Sequence, residues 1–93
     1  MNIRQVLKCL RKTYKGKAKV REVLDKLKSK LSARDCDIIQ YAYIEKLSNL
    51  NVADKIGLSV SQYQAVLNTT IAKLELLIDD KTFREMVELI NLP

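Results

Sequence analysis

The side chains with the most capacity for chemistry are cations, and they crowd one end of the chain. Residues 1–34 carry twelve lysines and arginines against two acids, Glu22 and Asp25, a local charge of +10. Residues 35–93 carry five basic and nine acidic side chains, a charge of −4. A basic third of that density attracts a polyanion, and phosphate backbone is the commonest one in cytoplasm. The plainer alternative is a solvated lysine-rich face that binds nothing. An anionic membrane surface suits the sequence less well, because large aromatic or leucine anchors opposite the basic face are few.

Covalent and acid–base chemistry is poorly provided for. The chain has no histidine, which removes the commonest general base, the usual zinc ligand and the standard triads. Cys9 and Cys36 stand 27 positions apart, a spacing of neither a metal knuckle nor a redox dithiol. Two thiols without a disulfide framework fit a reducing cytoplasm. The carboxylate pairs Asp35 with Asp37 and Asp79 with Asp80 read as helix caps or solvated termini rather than acid–base partners. With 93 residues there is room for one small domain, and no apolar run reaches the roughly 18 residues of a membrane span. The expectation is a cytoplasmic, non-enzymatic chain with no metal and no cofactor.

The elements that must position the cations are helices. Only two glycines and one proline interrupt a composition that is 47% apolar, too few turn residues for a many-stranded sheet. Ile3, Val6, Leu7 and Leu10 recur at helical spacing, and Val20, Val23, Leu24, Leu27 and Leu31 repeat the pattern, so residues 1–30 read as a basic helical hairpin turning at Tyr14 to Lys17 around Gly16. Ser32 with Asp35 can cap a third helix, ending near Lys46, whose inward face is Ile38, Ile39, Ala42 and Tyr43. Ser48 can cap a short fourth helix with Leu50, Val52, Ala53 and Ile56 inward, which Gly57 ends. Ser59 with Gln62 forms the clearest capping box and opens a long run through Val60, Tyr63, Val66, Leu67, Thr70, Ile71, Leu74, Leu77 and Ile78. After a break near Asp79–Asp80, a last amphipathic helix carries Phe83, Met86, Val87 and Ile90. The prediction is an all-α fold of about six helices, in which sections 1–30, 31–78 and 79–93 pack as one domain.

A short helix, a glycine turn and a longer helix make a helix-turn-helix, whose second helix can lie in the major groove of DNA. Ala53 is small where two backbones approach, Gly57 permits the turn, and Val52, Leu58, Val66 and Leu67 supply the apolar wedge. Over residues 31–74, LSARDCDIIQYAYIEKLSNLNVADKIGLSVSQYQAVLNTTIAKL, the chain resembles region four of bacterial RNA polymerase sigma factors without a gap. The resemblance is carried by Leu31, Arg34, Ile38, Tyr43, Glu45, Leu47-Ser48, Val52-Ala53, Ile56-Gly57-Leu58-Ser59, Val60, Leu67, Lys73 and Leu74.

That resemblance implies a DNA-binding transcription regulator whose recognition helix, about 60–72, reads a promoter element in double-stranded DNA. It points to Ser61, Gln62, Gln64, Ala65, Asn68 and Thr69 as base contacts. Gln and Asn can bond bidentately to adenine, and Ala and Thr methyls can touch a thymine methyl. The chain departs from the family in carrying no charge from Ser59 to Ala72, with Gln64, Val66, Thr69 and Ile71 where lysine or arginine is frequent. Phosphate contacts are therefore expected from the basic segment: Arg4, Lys8, Arg11, Lys12, Lys15, Lys17, Lys19 and Arg34. The alternative is an interaction module that docks on RNA polymerase, a sigma factor or a copy of itself, a homodimer through 81–92 among them. The regions that let a complete sigma factor open a promoter do not fit in this length.

Overall fold

Each helix begins where a polar side chain can take up free first-turn amides. A computed structural model describes residues 1–91, which form six helices: α1 (Ile3–Leu10), α2 (Tyr14–Leu27), α3 (Ala33–Ile39), α4 (Asn49–Ile56), α5 (Val60–Leu77) and α6 (Asp80–Asn91). No strand occurs among the described residues. Ser32, Ser48 and Ser59 accept the third-position amides of α3, α4 and α5, and Asp35 and Gln62 return the bond to complete two capping boxes. Asn2 with Gln5 forms a third box, on α1, and Thr13 caps α2. Those two caps lie outside the sequence reading, whereas the bond from Thr82 N to Asp79 Oδ1 (2.7 Å) ahead of α6 agrees with the expectation that Asp79 serves as a cap.

The hairpin differs from expectation at its turn. The chain reverses over residues 11–13, and Gly16 lies inside the first turn of α2 rather than in the connection. Its role is close approach. A Cβ at Gly16 would fall on the carbonyl oxygen of Leu10 and 2.7 Å from its Cα, so no other residue lets α2 lie this near the end of α1.

α3 continues into a π-helical stretch, Gln40–Ile44, in which Glu45 N bonds Gln40 O (2.9 Å). The wider winding turns Ala42, Tyr43 and Ile44 inward in succession, three consecutive buried residues that α-periodicity does not produce. Lys46 then takes the left-handed conformation (φ 57°), and Leu47 N closes the end on Tyr41 O (2.9 Å). α4 ends on Gly57, also left-handed (φ 74°), with Leu58 N bonded to Ala53 O (2.9 Å) as in a Schellman motif. Val52 and Ala53 are buried as expected, whereas Leu50 is 68% exposed and takes no part in the core.

One hydrophobic core joins all three sections of the chain. α1 packs against α2, α5 and α6, and α2 packs against α1, the π stretch and α6. Met86 of α6 is fully buried where Leu7, Val20, Val23, Leu24, Ile39, Leu74 and Ile78 meet. Phe83, Val87 and Ile90 pack on the same core, so the apolar stripe of the last helix is used largely within the chain. Leu92 and Pro93, the end of the predicted terminal segment, lie outside the described residues. Among those described, no helix is long and apolar enough to cross a membrane.

The roll of α5 is set from within. Asp35, only 3% exposed, accepts from Thr70 Oγ1 (2.6 Å) and Lys73 Nζ (2.9 Å) on α5 while also accepting from Ser32 N (3.3 Å). Burial pushes its carboxyl up, but the bonds from Thr70, Lys73 and Ser32 outweigh that and hold it at about 2. Thr70, which the periodic pattern counts among the apolar positions, is thus a buried polar anchor.

Candidate nucleic-acid interface

Because Tyr63, Leu67, Thr70, Ile71 and Leu74 face the core, the opposite side of α5 is turned outward. All six expected base-contact residues, Ser61, Gln62, Gln64, Ala65, Asn68 and Thr69, are exposed on it. Their hydrogen-bonding capacity is unequal. Gln62 spends its carbonyl oxygen on Ser59 N (3.0 Å), and the Thr69 hydroxyl donates back to Ala65 O (3.3 Å). The Asn68 side-chain oxygen accepts from the Arg4 guanidinium. Reading adenine bidentately takes one amide donor and one amide acceptor, so of these six residues Gln64 alone holds both free.

The expected phosphate contacts separate into groups. Arg4, Lys8 and Arg11 are spaced by four and three, one row along α1, and that row runs beside α5. With Asn49, Gln64 and Asn68 they border an open cleft of about 360 Å³ between α1, α4 and α5. No carboxylate lines it, and none of the three cations makes an ion pair among the described residues. Arg11 also donates to Ala42 O (3.4 Å), a carbonyl in the π stretch, which ties the row to α3.

The floor of the cleft includes Tyr43 and Tyr63, both buried. Burial pushes each phenol up, with the neighbouring Tyr43 adding to the effect on Tyr63, and the charges of Arg4 and Arg11 partly offset it in both. The contribution of Tyr43 and Asn49 to the cleft leaves no mark in the sequence, because each belongs to a different helix end.

The other basic residues lie elsewhere. Lys12 and Lys15 are exposed at the hairpin turn, Lys17 is half-buried on α2 and Arg34 is exposed in the first turn of α3; none of them lines the cleft. Lys19 does not join the row at all. Its side chain is 11% exposed, and its ammonium lies between Glu85 of α6 (3.2 Å) and Glu22 (3.6 Å), so it serves as a tie between helices. Cys9 and Cys36 are free and half-buried, and burial, with Asp35 and Asp37 nearby, pushes the Cys36 thiol up, away from reactivity. No three histidine, cysteine or acidic side chains converge on a common point among the described residues. No protein-family model, no curated protein and no solved structure matches the chain.

Proposed function

We propose that this chain is a DNA-binding transcription regulator built on a sigma region four-like helix-turn-helix, with α4 and α5 as its two helices. The observation that carries the reading is the pairing of two surfaces: an uncharged, amide-bearing face of α5, and an acid-free row of three cations beside it. The first suits base edges and the second suits phosphates, the division of labour that specific DNA binding requires. Gln64 is the leading base-reading residue because its amide is unengaged. Arg4, Lys8 and Arg11 supply backbone attraction that α5 lacks. Selecting duplexes from a random pool at low salt tests the proposal. Enrichment of one A·T-leaning motif, lost in Gln64→Ala, is the expected result; retention without any motif overturns it.

A second reading, docking on RNA polymerase, a sigma factor or a copy of itself, draws on a different observation. Leu50 on α4 and Leu76 on α5 are 68% and 87% exposed, large aliphatic side chains that a docked partner would remove from water. Failure to retain any duplex even at low ionic strength would favour it.

A further inference from the structure

The cleft between α1 and α5 has a composition that ordinary surface grooves lack. Three cations converge on it from one helix, carboxamides come from α4 and α5, two phenols form its floor, and no acid is present. Its volume, about 360 Å³, is within the ~300–1,000 Å³ of small-ligand sites. Arg4 is the cation engaged by a side chain of α5. Its guanidinium donates to the neutral amide oxygen of Asn68, an acceptor much weaker than an anionic oxygen.

We propose that this cleft is a phosphate seat, and that seating a phosphate draws Arg4 off Asn68 and frees the Asn68 amide. The phosphate oxygens take the forked donors of Arg4 and Arg11 and the ammonium of Lys8, with the carboxamide N–H of Asn49 completing the shell. Arg11 stays anchored by its bond to Ala42 O, so the seat keeps a fixed wall while Arg4 moves. Once released, Asn68 presents both donor and acceptor, as Gln64 does one turn earlier, and backbone contact then precedes base reading by this residue. The seat needs only the geometry of the cleft, whereas the consequence for base reading rests on the function proposed above. The phosphate has two sources of the same chemistry, a DNA backbone diester or a free phosphorylated small molecule.

Side-chain NMR of the full chain tests this. Titration with sodium pyrophosphate, against sodium chloride of equal ionic strength, should give saturable shifts at the Arg4 Nε–H and at the Asn68 and Asn49 amides. Lys8→Gln, at an exposed position outside the core, should weaken that saturation about tenfold. Lys28→Gln should leave it unchanged. Shifts that never saturate, or that weaken equally in both variants, overturn the seat. Repeating the titration with 5′-AMP and with a random-sequence duplex separates the sources, since whichever saturates at the lower phosphate concentration is the one the seat favours. Saturation by pyrophosphate without any enriched duplex motif leaves the seat standing and removes the DNA reading. An enriched motif in a complex where Arg4 still holds Asn68 does the reverse.

Discussion

α1 and α2 look alike as sequence, two amphipathic helices rich in lysine and arginine, yet their charges have different fates. On α1, Arg4, Lys8 and Arg11 meet no carboxylate and border the outward side of α5. On α2, Glu22 sits between Lys26 (3.3 Å) and Lys19 (3.6 Å), and Lys19 reaches on to Glu85 of α6. The bond from Lys26, and then the charge of Lys19, hold the Glu22 carboxyl below its ordinary value. What separates the helices is therefore not charge density but company. A cation that faces acids of its own chain is internal structure, and one beside an uncharged groove-sized face is free for a partner.

The most disruptive way to break the contrast is to part the two helices. Gly16→Ala puts a methyl into the backbone of Leu10, and the overpacking should cost about 3 kcal/mol, set against at most about 1 kcal/mol of gained helix propensity. A urea midpoint lowered accordingly, with unchanged slope, is the expected result. Ala18→Gly, on the exposed side of the same helix, should cost only about 1 kcal/mol.

Next in size is the buried carboxylate that sets α5. The folded value of Asp35 is depressed from 3.8 to about 2, so its stabilisation is present above 3.8 and lost as pH falls through about 2, roughly 2 kcal/mol in all. Asp35→Asn should lower stability by about that amount at neutral pH. The difference between the two unfolding free energies should shrink as pH is lowered from 4 to 2. A difference that stays constant across that window would show that the charge of Asp35 is not what joins α3 to α5.

Duplex binding sharpens the comparison most directly. Lys8→Gln should reduce the slope of log affinity against log salt by about 0.9, the loss of one phosphate contact. Lys26→Gln, at a cation paired with Glu22, should leave it unchanged; equal reductions would erase the distinction between the helices. The smallest effect is the tie on α2. A double-mutant cycle on Lys19→Gln and Glu85→Gln should return a coupling of about 0.5 kcal/mol, since Glu85 remains partly solvated.

Local signals carried much of this architecture. The serine caps at 32, 48 and 59, the left-handed Gly57 and the apolar periodicities were readable because each depends on neighbours within one turn. The six outward residues of α5 were readable for the same reason. The turn around Gly16 was misplaced because a glycine that permits close packing looks, in sequence, like one that permits a turn. The π stretch left no local mark, since its winding follows from Ala42, Tyr43 and Ile44 all finding core at once. Nor did the link from Arg4 to Asn68, two residues 64 positions apart whose meeting depends on α1 being part of the core. Ile3, Val6, Leu7 and Leu10 are all buried, so the segment expected to supply the phosphate contacts cannot be removed without opening the fold.

Thr70 and Lys73 lie one turn apart on α5 and converge on a single carboxylate, which makes Asp35 an index mark for rotation as well as an anchor. A helix with its side chains is about 10–12 Å across, so a roll of about 20° would carry outward atoms some 2 Å sideways, beyond the tolerance of a hydrogen bond. The bearing of Gln64 toward anything outside the molecule is thus inherited from an acid on its opposite side. Substitutions at that hidden position that preserve folding should still misalign the exposed amide, producing variants that are folded, though less stable, and yet mistaken in what they recognise.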